Sequence, residues 1–185
     1  MSFNLTGQLL IAMPTLSETL FSGSLLFVCA HNHEGAMAII INRPLKTKLE
    51  EMLKRLNIKS DHCPKKHIAV HYGGPVCSDH GFILHRPLKK WTSTIKVSNN
   101  VSLTTSLDAL KDISCGKGPK EIFVSVGYAG WAPGQLENEF LENAWLNVPS
   151  EPKLIFDTPS DKKINSAVSA LGIGKDALSS YSGQA

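Results

Sequence analysis

Three short segments hold most of the side chains able to recognise another molecule: His31-Asn32-His33-Glu34-Gly35, His71-Tyr72-Gly73-Gly74-Pro75, and the stretch from Gly127 to Gln135. Each follows an apolar run and mixes glycine with His, Asn, Tyr or Trp. Glycine lets a backbone come close to another surface, and a large aromatic gives that approach a shape. If the preceding strands share one sheet, the segments converge on one edge and line a cleft. The first segment and the strand end after it supply His31, Asn32, Glu34, Asn42 and Arg43. The second supplies Tyr72, Gly73 and Gly74, and the third, with the residues just after it, Tyr128, Trp131, Gln135 and Glu137. These twelve residues are the candidate ligand- or partner-binding set.

Their types do not assemble a reaction. There is no Gly-x-Ser-x-Gly elbow, and Ser125 sits inside an apolar strand as a core hydroxyl. Cys77 reads as a small buried thiol, since no activating partner is set by spacing. His31-x-His33 is too little for zinc, which needs three or four ligands, so neither a metal nor a cofactor is expected. Gly73-Gly74-Pro75 lacks the Lys-Ser/Thr of a phosphate loop. Glu137 and Glu139 lie two apart on a helix and point away from each other, so they are not an acid/base pair. No residue is assigned as catalytic. The one enzymatic alternative is a hydrolase or transferase using His31 and Glu34 with Arg43 as anion stabiliser.

The elements that would position these residues follow from pattern. Gly7–Met13, Ser24–Ala30 and Ala36–Ile41 read as strands, the last two paired as a hairpin across a five-residue loop. Thr47-Lys48-Leu49-Glu50 and Thr105-Ser106-Leu107-Asp108 look like capping boxes opening helices. Ile68–Tyr72, Gly81–His85, and a hairpin of Ile95–Val97 with Val101–Leu103 are further strands. Ile122–Val126 reads as a buried strand, Gly127–Gln135 as a loop, and Leu136–Trp145 as a helix with Leu136, Phe140, Leu141 and Ala144 on its core stripe. Its acidic residues Glu137, Glu139 and Glu142 fall on the exposed face. Trp145 packs in the core, while Trp131 either seals the loop or stacks on a ring. Lys153–Asp157 reads as a strand between prolines, Ile164–Leu171 as a last helix ended by Gly172, and Ser179–Ala185 as a small polar tail. Strands crowd the first half and alternate with helices in the second, which is an α+β pattern with a mixed sheet in one domain, 1–185.

Composition narrows the classes. The 185 residues are 42% apolar and 19% charged, as in a globular protein. No apolar run reaches the roughly 18–20 residues of a membrane-spanning helix, so no membrane partner is expected. The N-terminus lacks a basic segment followed by an apolar core, and the four cysteines form no C-x-x-C pair; free thiols in the cytoplasm are expected. Residues 1–100 carry 12 Lys+Arg against 6 Asp+Glu, whereas 101–185 carry 7 against 10. A lysine-rich solvated surface accounts for this better than nucleic-acid binding, because only Arg43, Arg55 and Arg86 are arginines.

Several segments taken in order resemble the YqgE/AlgH family of bacterial proteins. They are Gly7–Pro14, His31–Met37, Ile41-Asn42-Arg43-Pro44, Tyr72–Val76, Leu103–Ser106, Gly127–Trp131, Gly134–Glu137 and Asn143–Leu146. The chain departs from the family pattern at Glu18-Thr19, where Asp-Pro is usual, at His80, where arginine is common, and at Gln184, where histidine is common. The resemblance implies a single α+β domain with a strongly curved, largely antiparallel mixed sheet flanked by helices, an αβα-like sandwich. It also implies a cytoplasmic bacterial regulator of gene expression with no agreed catalytic residues. The combined expectation is a non-enzymatic module that binds a small ligand, a nucleotide among the options, or a protein partner.

Overall fold

A computed structural model describes residues 4–172. Ten strands and five α-helices are present among them. The strands are β1 (Leu9–Ala12), β2 (Leu25–Asn32), β3 (Gly35–Ile40), β4 (Pro44–Lys48), β5 (Ala69–Tyr72), β6 (Val76–Arg86), β7 (Thr94–Lys96), β8 (Ser102–Thr104), β9 (Glu121–Trp131) and β10 (Trp145–Val148). The helices are α1 (Leu49–Arg55), α2 (Leu107–Ser114), α3 (Gln135–Leu141), α4 (Pro152–Phe156) and α5 (Lys163–Ala170). The fold class is α+β, with mixed and largely antiparallel strand pairing. None of the described helices is long and apolar enough to cross a membrane.

Arg43–Tyr128 forms one compact unit, and the described residues on either side of it form the other. In this flanking unit the strands run β10-β1-β2-β3, all antiparallel, and Ala36–Ala38 of β3 pair with Ala129–Trp131 at the end of β9. The β2 and β1 side chains Leu9, Leu10, Leu25, Leu26 and Phe27 are completely buried, so these strands read as continuous apolar runs rather than alternating ones. In the central unit, β5 lies parallel to β9, and β4 pairs with β5; β6 pairs antiparallel with β9 and with β8, and β7 completes the hairpin. Leu49 and Leu53 of α1 and Ala109, Leu110 and Ile113 of α2 pack on Val70, Ile83 and Val124 of the strands.

Several expected elements differ. Gly127–Trp131 is not a loop but the last half of the 11-residue strand β9. His31 and Asn32 belong to β2, so the hairpin turn shrinks to His33 and Glu34. The third helix stops at Leu141, and Asn143 takes a left-handed conformation (φ 55°) that turns the chain into β10; Trp145 is therefore a strand residue paired with Ala12. Leu141 is 82% exposed and not on a core stripe. The 153–157 segment is helix α4, not a strand, because Pro152 occupies a first-turn position where its fixed φ favours helix and its missing N–H costs nothing. Thr47 is a β4 residue and α1 begins after Lys48, whose backbone N–H donates to Glu51 Oε1 at 3.3 Å. Cys77 is exposed, in a left-handed conformation (φ 49°), rather than buried. The polar tail 179–185 lies outside the described residues.

Candidate functional site

The residues singled out from sequence occupy both units and make their contacts within each. In the flanking unit His31 is 4% exposed. Its Nδ1 accepts the Leu5 backbone N–H at 3.1 Å, which leaves Nε2 as the protonated nitrogen donating to Glu137 Oε1 at 3.1 Å. Both ring nitrogens are thus occupied by the fold itself. Glu34 is exposed in the hairpin turn, where its N–H donates to Asn32 Oδ1 at 2.8 Å. Asn42 accepts from the Leu25 N–H at 2.8 Å and donates to the Gly23 carbonyl at 2.9 Å, bracing the ends of two segments.

Trp131 is buried, 6% exposed, and its ring stacks on Phe21 and meets Trp145 edge-on at 5.8 Å between centroids. Glu139, expected on a solvated face, accepts both indole N–H groups on one oxygen, from Trp131 at 2.8 Å and Trp145 at 2.7 Å. Its other oxygen accepts from Gln135 Nε2 at 2.9 Å. Gln135 Oε1 in turn caps the Ala132 N–H at 3.0 Å. The two-indole bridge was not legible in the spacing, since Glu139 and Trp145 belong to different elements. A hint lay in each indole's single donor, which needs an acceptor when buried.

In the central unit the glycines approach backbone. Gly127 has φ 72°, and a Cβ there would collide with the Gly74 carbonyl oxygen. A Cβ on Gly73 would collide in turn with the Gly127 carbonyl oxygen. Gly73 N–H donates to Val126 at 2.8 Å, and Tyr72 N–H to the Arg43 carbonyl at 2.8 Å. Tyr128 meets Phe82 edge-on at 5.4 Å. The close approach that these glycines permit is therefore between two chain segments.

Sequence reasoning missed a cleft of about 610 Å³ in the central unit. It exists because β6 leaves its ladder. Val76 pairs with Tyr128 and Gly81 with Val126, so four residues, Cys77–His80, bulge opposite the single residue Gly127. The bulge forms one wall, and β4, α1 and the start of α2 form the others. The floor is apolar: Met52, Val70, Ile83, Leu110 and Val126. Gly81 is bare where the Met52 terminal methyl packs, since a Cβ there would stand 2.5 Å from it. Polar groups stand at the rim. His80 Nδ1 lies 2.8 Å from Asp79 Oδ1, and that hydrogen bond holds the Asp79 carboxyl below its usual range. Thr47, Arg55, Ser78, Thr105 and Ser106 are the other polar residues lining the cleft. Among the described residues no three His, Cys, Asp or Glu side chains are grouped to hold a metal ion.

A mixed-sheet α+β protein with a bulge-walled, apolar-floored cleft is the class these features define. The chain belongs to the AlgH-like family, whose model matches residues 9–176. It is 41% identical over 184 residues to a UPF0301 protein of Nitrosospira multiformis, covering 100% of this chain and 99% of that one. It is 43% identical to a UPF0301 protein of Dechloromonas aromatica, with 98% of each covered. The solution structure of AlgH from Pseudomonas aeruginosa matches with a TM-score of 0.81 at 38% identity, over 100% of this chain and 96% of that one. A crystal structure from Corynebacterium diphtheriae shares the fold at 17% identity, with a TM-score of 0.68 over 86% and 83% of the two chains.

Proposed function

We propose that the protein is a non-enzymatic binding module with a regulatory role, and that the central-unit cleft is where it receives its ligand or partner. The observation carrying this reading is the cleft itself. It has an apolar floor, a few polar groups at the rim, and a volume of about 610 Å³, inside the roughly 300–1,000 Å³ range of ligand sites. The residues singled out around His31 and Trp131 enter as frame, because their polar atoms are spent on one another and on backbone. The hydrolase alternative requires an available imidazole at residue 31, and the two occupied ring nitrogens of His31 weigh against it. A cytoplasmic location is part of this reading, and the four free cysteines are in keeping with a reducing compartment.

The test is amide chemical-shift mapping of the full chain against nucleotides, metabolites and short peptides. Binding at the cleft shifts the amides of Met52, Gly81, Leu107 and Leu110. Shifts clustered around Gly35, Trp131 and Gln135 instead would move the site to the flanking unit, and hydrolysis of generic ester or phosphate substrates would restore the enzymatic alternative.

A further inference from the structure

Three leucines stand at the mouth of the cleft with much of their surface in water: Leu45, 37% exposed, Leu56, 42%, and Leu107, 54%. Below them the floor opens directly onto the core, since Val70, Ile83 and Leu110 belong to both. Apolar surface continuous from mouth to core marks a binding groove, because a monomer gains nothing by leaving it wet. The Met52 thioether adapts to shapes of differing width.

The rim adds a sign. Three charged or chargeable side chains line the cleft: Arg55, Asp79 and His80. Asp79 and His80 are hydrogen-bonded to each other. Arg55 forms no ion pair among the described residues. Its guanidinium is thus the uncommitted charge of the site. The surrounding unit reinforces it, for Arg43–Tyr128 contains 15 Lys+Arg and 7 Asp+Glu, a net +8. Such a field concentrates anions at its surface. The shallower groove bordered by Glu50, Glu51, Lys54, Lys59 and Asp61 mixes both signs and offers no such preference.

Building on the proposed binding role of this cleft, we propose that it selects small organic anions with an apolar body. A hydrocarbon or aromatic portion fills the space over Met52 and Ile83 beneath the three leucines. A carboxylate or phosphate head meets the Arg55 guanidinium, whose planar fork suits both. The Thr105 and Ser78 hydroxyls at the rim are further donors for the head.

The experiment titrates the full chain with decanoate, decyl phosphate, 1-decanol and decyltrimethylammonium, the ionic probes below their micellar concentrations and decanol below its solubility limit. Calorimetry gives affinity and amide shifts give location. At least one of the two anions binds tenfold or more tighter than decanol, the cation binds weakest, and the perturbed amides lie at Met52, Gly81 and Leu107. The comparison of decanoate with decyl phosphate tells which head the rim suits. Arg55→Gln, with its thermal midpoint unchanged, brings the anions down to the affinity of decanol. Leu107→Asn weakens every probe bearing the chain. Equal affinity for all head groups at the cleft, or anion preference surviving Arg55→Gln, overturns the anion inference while leaving the binding module standing. Absence of cleft perturbation by any of the four also overturns the anion inference, and the binding role of the cleft then stands or falls with the nucleotide, metabolite and peptide panel.

Discussion

The flanking unit ties several of its polar side chains to one another and to backbone. His31 joins Leu5 to Glu137, Glu139 joins two indoles, and Gln135 ties Glu139 to the chain. The central unit leaves Arg55, Ser78 and Thr105 around an open cleft and exposes leucines beside them. Charge divides the same way. The sequence outside Arg43–Tyr128 carries 4 Lys+Arg against 9 Asp+Glu, a net −5, whereas the central unit carries +8. Satisfied, buried polar networks fix one arrangement, and open apolar surface with an uncommitted charge is what a recognition site retains. Under the proposed function one unit is scaffold and the other receives, and each role can be attacked separately.

The largest effect belongs to Gly35 in the flanking scaffold. Its φ of 127° lies where side chains are strained, and a Cβ would collide with the Trp131 carbonyl oxygen. Neither the β3 nor the β9 backbone can yield without breaking the Ala36–Trp131 pairing. Gly35→Ala is expected to cost about 4 kcal/mol, or to prevent folding. Gly134→Ala is the control: φ is also positive at 76°, but open space surrounds the position. It costs only about 1 kcal/mol of conformational strain. Urea unfolding of the two variants measures the difference, and equal losses would show that the close approach carries no weight.

Next comes Glu139. Glu139→Leu leaves the Trp131 and Trp145 N–H groups unpaired in a buried cluster. With each orphaned donor costing about 1–3 kcal/mol, the loss for the two is about 2–6 kcal/mol. Glu139→Gln keeps an acceptor oxygen and loses less. Both variants are expected to leave cleft binding intact, because no cleft residue belongs to the flanking unit. Affinity lost with Glu139→Gln at preserved stability would break the separation of roles.

Patterns local in sequence carried most of the fold. The β2–β3 hairpin, the β7–β8 hairpin, α2 and α5 all lie where apolar periodicity puts them, although α2 opens at Ser106 without a side-chain cap rather than through the expected Thr105 box. The failures share a cause. Gly127–Trp131 has loop composition, yet β3 on one edge supplies ladder partners for its end, and tertiary pairing overrode propensity. Trp145 continues a helical stripe on paper, yet pairing with β1 claimed it. The cleft was invisible for the same reason. Its wall is a bulge set by a register between β6 and β9, more than forty residues apart, and no local signal in Cys77-Ser78-Asp79-His80 announces that four residues face one. What composition did reveal, that Gly127 and Gly73 permit close approach, was correct in physics; the object approached was another segment of the chain, β9 against the β5–β6 connection.

A pH titration sharpens the comparison, because each unit holds a basic side chain whose pKa is lowered by burial. In the flanking unit Lys163 is 2% exposed, and burial brings its pKa down from 10.5 to about 8. Its Nζ donates to the Ile155 carbonyl at 2.7 Å. Between about pH 8 and 10.5 the unfolded chain holds a proton the folded chain has released, so stability rises with pH across that window, on the order of 3 kcal/mol. In the central unit burial lowers the pKa of His85 below 6.5, while its Nε2 bonds Thr104 Oγ1 at 3.0 Å. Here the unfolded chain gains the extra proton as pH falls below 6.5, so stability is lost on acidification. Lys163→Met should flatten the alkaline rise, and His85→Gln the acid fall. Hydrogen exchange at β10 and at β8, read separately, tests whether each window protects its own unit.

The smallest effect on stability, and the one most informative about function, is expected at Leu107. It opens α2 at the cleft mouth with 54% of its surface exposed, so folding recovers little from it. Leu107→Asn should change the unfolding free energy by no more than about 0.5 kcal/mol. A ligand that covers the mouth would bury the leucine, and at about 25 cal/mol per Å² even 50 Å² of newly covered apolar surface contributes about 1 kcal/mol. Loss of that term weakens binding about fivefold while the thermal midpoint stays still. A residue that matters to binding and not to folding is what separates a receptor surface from a merely imperfect core. A midpoint drop of several degrees with unchanged affinity would place Leu107 with the scaffold instead.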